Sequence, residues 1–281
     1  TAKQIENLNK DLSSKNIVVT PSVNLVDLIW TNQPPIPQKK VFIHHMKYSG
    51  ESSSNKRSHI KKILKENKID AILISSPENL CWTFNLRGSD VPMTPIAFGY
   101  AIIDNKGNAK LFFHRNKLNG QVRKALAQDK TLSINDISEF LEQIKHLAGK
   151  KIWLDSQTAN VEVLRVAEAV HVSTHISTDP IYLMKAKKNA VELKGIQAAH
   201  LRDSTAIIKF IKWFMQTDPS KIDEWKAAKR IESERKKLDL FQEVSFPTIS
   251  ATGPNAAEAH YQLTKKTAKP LSNGDLFLFD S

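Results

Sequence analysis

The rhythm of apolar residues changes at Asp179-Pro180, and this limits what the chain can fold into more than any single motif does. Before that point, short apolar runs alternate with helix-length amphipathic stretches, the pattern of a sheet covered by helices. The basic amphipathic stretch 59–68 precedes Ala71-Ile72-Leu73-Ile74, which predicts a helix followed by a buried strand. The apolar segments 97–103 and 109–113 flank Asp104-Asn105-Lys106-Gly107-Asn108, whose Asn, Asp and Gly content predicts a hairpin turn. Further helices are expected over 135–147 and 160–169, with a strand over 151–154 between them. Pro34, Pro35 and Pro37 make 32–40 an extended connector, because proline lacks the amide hydrogen that a helix needs. Residues 1–178 therefore read as an α/β domain with a mixed sheet.

Beyond Pro180 the elements lengthen. Leu193, Ile196, Ala199, Ala206, Ile207, Phe210 and Phe214 fall on one face of a helix expected to run to about residue 216 and to bury that face. Asp218-Pro219-Ser220 ends it. Ser220 is a candidate N-cap for a second helix to about 238, with Asp223 and Glu224 in its first turn. A strand is expected over 243–249, then a Gly253-Pro254-Asn255 turn, His260, and a last apolar strand, Leu276-Phe277-Leu278-Phe279, that leads to Asp280. Residues 179–281 read as the opening of a second, α+β domain.

The apolar and charged fractions, 41% and 25%, are those of an ordinary globular protein. No apolar run approaches the ~20 residues of a membrane span, and no apolar signal core opens the chain, so neither a membrane nor export is expected. Cys81 is the single cysteine and lies in an apolar run; it reads as a buried, inert thiol in a reducing compartment. The 41 Lys and Arg against 29 Asp and Glu leave a net charge of +12. These cations are scattered among acids, without the aromatic interleaving of a nucleic-acid surface, so no nucleic-acid partner is expected.

Asp280 is the sharpest candidate for chemistry, because a strand that ends in an acid can aim a carboxylate at a metal while its backbone stays paired; an acid after a strand is also commonly a turn residue. Asp275, in Ser272-Asn273-Gly274-Asp275, reads as such a turn residue. His260 follows a rigid Gly-Pro-Asn turn, from which an imidazole could orient a substrate carbonyl or pass a proton; a satisfied or surface histidine is the plainer reading. His200 and Asp203 share a helix face, where a polar helix–helix contact is favoured over a metal site. Arg87 and Asp90 read as an ion pair that closes a loop. His44 and His45 would point to opposite faces of a strand, which argues against joint ligation.

Several stretches in one order resemble the aminopeptidase P group of the creatinase/prolidase metallopeptidases. Asn24-Leu25-Val26-Asp27-Leu28-Ile29-Trp30 is similar to the opening of that family's second domain, and the run from Cys81 to Val91 with Pro95 to its longest signature. Ser245-Phe246-Pro247-Thr248-Ile249-Ser250, Gly253-Pro254-Asn255 and His260-Tyr261 resemble the approach to the catalytic site, and Leu278-Phe279-Asp280-Ser281 the strand bearing its first metal-binding aspartate. The resemblance implies a creatinase N-terminal-like α/β domain over 1–178, then an incomplete α+β "pita-bread" catalytic domain over 179–281. It implies a cytoplasmic enzyme that removes the N-terminal residue from peptides with proline second, using two divalent metal ions, usually manganese. Asp280 is then a metal ligand and His260 a substrate contact; a homodimer is compatible. The family's remaining Asp, His and two Glu ligands have no counterpart in these residues, and its first domain is also without one. The chain alone is therefore expected to be inactive and to bind no metal tightly. The sequence departs from the pattern at Ala256-Ala257-Glu258-Ala259, smaller or more polar than in many relatives. A binding or scaffolding module from the same family is the competing expectation. A prolidase or creatine-type amidinohydrolase is disfavoured by Asn85-Leu86-Arg87-Gly88.

Overall fold

Ala71-Ile72-Leu73-Ile74 has no polar side and is buried along its whole length, as a strand must be when helices cover both faces of its sheet. A computed structural model describes all 281 residues, Thr1–Ser281, and divides them into two compact units, Thr1–Val191 and Glu192–Ser281. In the first unit, helices α1 (Ala2–Ser13) and α2 (Leu25–Ile29) precede strand β1 (Phe42–Ile43), α3 (Met46–Ser49), α4 (Ser53–Glu66) and β2 (Ala71–Ile74). Next come α5 (Pro77–Thr83), β3 (Leu86–Arg87), the hairpin β4 (Tyr100–Asp104) and β5 (Ala109–Phe113), α6 (Gly120–Leu126) and β6 (Leu132–Asp136). The unit closes with α7 (Phe140–Lys145), β7 (Lys151–Leu154), α8 (Val161–Ala169), β8 (Ser173–Ile176) and α9 (Ile181–Ala186).

Six of these strands form one mixed sheet in the order β6-β5-β4-β2-β7-β8. β2 pairs antiparallel with β4 and parallel with β7. Alternate residues of β2 serve separate cores: Ile72 and Ile74 join Ile60, Leu64, Leu80 and Phe113 on one face, whereas Ala71 and Leu73 join Phe140, Ile144, Val163 and Ala167 on the other. The hairpin turns where expected, with Gly107 at φ +92° and the Asp104 carboxylate accepting from the Lys106 and Asn108 amides. Residues 33–41 hold neither helix nor strand, as their prolines require. The helix expected over 135–147 is shorter: its first two residues close β6, and Asp136 caps the turn that leads into α7. Both edge strands, β6 and β8, lack the apolar run by which the inner strands are recognised. Cys81 is buried beside the Ala97 amide, and burial raises its thiol pKa, which keeps it unreactive. From the sequence, Asp90 is expected to pair with Arg87. In the structure it is ion-paired with the fully buried Lys117 and accepts the Lys39 and Phe98 amides at 3.0 and 2.7 Å. The Asp90 position thus serves the fold.

The second unit contains α10 (Ala190–Gln216) from Glu192 onward, α11 (Glu224–Lys236), β9 (Ile249–Thr252) and β10 (Phe277–Asp280). Ala206 and Phe210 of α10 pack on Ile222, Ala227, Ile231 and Leu271. The apolar stripe is buried only in this middle part of the helix; Leu193, Ile196, Ala199 and Ile207 are exposed, contrary to the sequence expectation. The cap of α11 is Asp223, not Ser220: its carboxylate accepts the Lys226 amide at 2.6 Å, and Ser220 sits in a short turn capped by Asp218. The strand expected over 243–249 begins only at Ile249, because pairing with β10 covers Ile249–Thr252 alone.

Candidate functional site

β9 and β10 pair antiparallel with Phe277 opposite Thr252 and Asp280 opposite Ile249. Phe279 stacks on Phe210 at 4.5 Å between ring centroids, and Phe277 on Phe214 at 5.0 Å. Because successive strand residues point to opposite faces, Leu278 and Asp280 are turned away from that aromatic layer. Asp280 is exposed, the last residue of a paired strand, with its backbone committed and its carboxylate at large. Just beyond it, the Arg235 guanidinium grips the Asp203 carboxylate at 2.7 and 3.0 Å and donates to the Ser281 carbonyl oxygen at 3.2 Å. Asp203 is thus the helix–helix contact favoured from the sequence; His200, on the same helix, is exposed. Asp275 sits in a turn with Gly274 at φ +90°, as a structural residue would.

After β9 the chain enters a 3-10 turn over Gly253–Ala257, with Gly253 at φ +53°. His260 is the third residue of the following turn, closed by the Tyr261 amide donating to the Glu258 carbonyl at 3.2 Å. Its imidazole is exposed, and Ala257, Glu258 and Ala259 before it are exposed as well. Of this turn only Tyr261 is buried, and its hydroxyl enters a polar tether whose centre is Glu224, the first residue of α11, itself fully buried. The Glu224 carboxylate accepts from the Thr252 amide at 2.7 Å, the Tyr261 hydroxyl at 2.8 Å, the Lys269 amide at 3.0 Å and the Asn255 side-chain amide at 3.0 and 3.1 Å. Burial alone would raise this carboxyl; the donated hydrogen bonds outweigh it and leave the pKa lowered. Burial and the Glu224 bond push the Tyr261 phenol up. In the sequence Glu224 is an ordinary first-turn acid, and nothing local distinguishes it from one.

A manganese pair needs several hard oxygen or imidazole donors converging at one place. Asp280 is a suitable donor, but no group of three or more His, Cys, Asp or Glu side chains in this chain is arranged to hold a metal ion. The residues present do not by themselves fit a two-metal centre.

The sequence matches the creatinase/prolidase N-terminal domain over residues 32–192 and metallopeptidase family M24 over residues 194–281. The chain belongs to the creatinase/prolidase family of metallopeptidase folds, an α/β N-terminal domain leading into the start of a pita-bread domain. Within that family it is similar to the probable Xaa-Pro aminopeptidase P of Aspergillus clavatus, 36% identical over 98% of this chain and 43% of that protein. The corresponding protein of Coprinopsis cinerea is 31% identical over 100% of this chain and 48% of its own length. The X-prolyl aminopeptidase of Caenorhabditis elegans, described as a cytosolic enzyme with a di-nuclear active site, superposes with a TM-score of 0.90 at 27% identity, over all of this chain and 47% of that one. The chain thus spans less than half the length of these relatives. The Xaa-Pro dipeptidase of Bacillus anthracis shares the fold, with a TM-score of 0.62 at 19% identity. No helix is long and apolar enough to cross a membrane.

Proposed function

We propose that this chain is the central portion of an Xaa-Pro aminopeptidase, an enzyme that releases the N-terminal residue from peptides with proline in second position. The observation that carries this reading is likeness over the whole chain, a TM-score of 0.90 with an X-prolyl aminopeptidase together with 36% identity to a probable Xaa-Pro aminopeptidase P. In this reading Asp280 contributes one carboxylate to a di-nuclear centre, manganese being the expected metal, whose other donors lie outside these 281 residues. The outward face of β10 and the paired strand end are what support that role. His260 is the substrate contact, an exposed imidazole on a tethered turn. The first unit is the non-catalytic α/β domain in this reading and supplies no reacting group.

The test is made on the full-length protein with manganese. It should cleave a peptide with proline second and leave a matched peptide with alanine second largely intact. Asp280→Ala should abolish metal uptake and turnover together. His260→Ala should retain metal and lose roughly 10²-fold or more in kcat/KM, the usual scale for a lost polar contact to the reacting group. Full activity in Asp280→Ala, or equal cleavage of both peptides, contradicts the reading.

A further inference from the structure

Glu224 is a buried acid with no part in the reaction just described, and its geometry is unusually one-sided. Its carboxylate oxygens meet Thr252, Asn255, Tyr261 and Lys269, all from one stretch that begins 28 residues later and ends 45 residues later. The backbone reinforces the link, since the Glu224 amide donates to the Lys269 carbonyl at 3.1 Å. His260 lies inside this stretch, between two of the tethered residues. Asn255 is bound before it and Tyr261 immediately after it, and Asn255 also donates to the Tyr261 hydroxyl at 2.9 Å. That hydroxyl has one proton, and the Glu224 oxygen at 2.8 Å takes it in preference to the Thr267 carbonyl at 3.4 Å.

Other roles fit poorly. Glu224 is fully buried and its oxygens are already met by four groups, so it has no access to substrate or metal. All four partners are donors, so the site requires an acceptor-only group. An amide of the same size would turn an NH2 towards hydrogen-bond donors. A small apolar side chain would leave those donors without a partner.

We propose that Glu224 is a positioning residue: an anionic anchor that holds the span from Asn255 to Tyr261 in one conformation and so presents the His260 imidazole at a defined place. This rests on the reading of His260 as a substrate contact. The anchor acts where the small, exposed residues Ala257 and Ala259 provide no packing.

The experiment compares wild type, Glu224→Gln, His260→Ala and the double variant in the full-length protein. Amide hydrogen exchange and kcat/KM on a proline-second peptide are measured together. Glu224→Gln should speed exchange over 252–269 by about tenfold or more, the scale of a lost bond to a charged acceptor, while α10 stays protected. Its kcat/KM should fall, and the double variant should be no worse than His260→Ala alone, as expected of residues acting through one group. Tyr261→Phe, which removes one of the four donors to Glu224 and one acceptor of Asn255, should show the same pattern more weakly and serves where the Gln variant fails to fold. Unchanged exchange over 252–269 overturns the proposal. So does faster exchange spread evenly over the unit, or activity losses that simply add. If His260→Ala alone leaves activity intact, the role of His260 fails while the exchange result still decides whether Glu224 anchors the turn.

Discussion

At the scale of single residues, the molecule places charges where water cannot reach and gives each a specific partner set. Lys56, 1% exposed, donates to the Trp82 carbonyl and the Asn85 side chain at 2.8 Å each, with its ammonium 4.1 Å above the Trp82 ring. Lys117 and Asp90 form a fully buried ion pair. Removing one partner of such a pair strands the other charge, so Asp90→Ala should destabilise the first unit by about 3–5 kcal/mol, measured by denaturant unfolding. An unchanged midpoint would contradict it. His44 is held down to about 4, first by burial and then by the nearby Arg87 and Lys56 charges, and is therefore neutral at pH 7. Glu224 gives a pH prediction with a definite sign. Its folded pKa lies below the ordinary 4.5, so its contribution to stability is present above that value and is lost as pH falls through the lower folded value. Protection of 252–269 against exchange should therefore weaken below pH 4.5, and Glu224→Gln should remove that acid-dependent step.

At the scale of elements, β10 separates two jobs by its alternation. Phe277 and Phe279 anchor the strand on α10, and Asp280 faces away from that layer. Phe279→Ala should cost roughly 2 kcal/mol, less than the ~3–5 of a fully buried ring because Phe279 is only partly covered. Asp280→Ala should change stability by less than about 0.5 kcal/mol, as exposed substitutions usually do. Thermal unfolding of the two variants checks the contrast; comparable destabilisation by both would contradict the division of labour. Arg235 ties the same strand end to α10 through Asp203, with two parallel bonds of a kind that lysine cannot reproduce.

At the scale of the whole molecule, both units leave apolar side chains uncovered outside their cores. The first has helices on both faces of a six-stranded sheet but leaves Val18, Leu28 and Ile29, outside that sheet, between 70% and 81% exposed. The second leaves Leu193, Leu201, Ile208, Ile211 and Met215 of α10 between 51% and 78% exposed. A surface of that kind commonly meets other protein. The 281-residue chain by itself should therefore bind a hydrophobic dye at neutral pH, and fluorescence no greater than that of a well-covered globular control would contradict this. Calorimetric titration of the same chain with manganese should show no tight stoichiometric site, in keeping with the lack of a converging donor set. Uptake of one or two ions per chain with high affinity would contradict that.

Much of this was legible in the sequence because it is local. The strand at Ala71–Ile74, the turn around Gly107, the extended prolines of 33–41 and the break at Asp218-Pro219 each follow from period, turn chemistry or a missing amide hydrogen. The family likeness was legible too, and with it Asp280 and His260 as the residues to watch. Partner choice was not. Asp90 pairs with Lys117, which lies 27 positions away, and no short-range pattern announces such a pair. The apolar period of α10 marks a helix that runs to about residue 216, yet only tertiary packing decides that Ala206 and Phe210 are covered and Leu193 and Ile196 are not. Glu224 shows the same division most clearly. Its chemistry and its place at the start of a helix are written in the chain. Its function as an acceptor for four distant donors exists only once folding brings them within about 3 Å, because a hydrogen bond depends on distance in space and not on separation along the sequence.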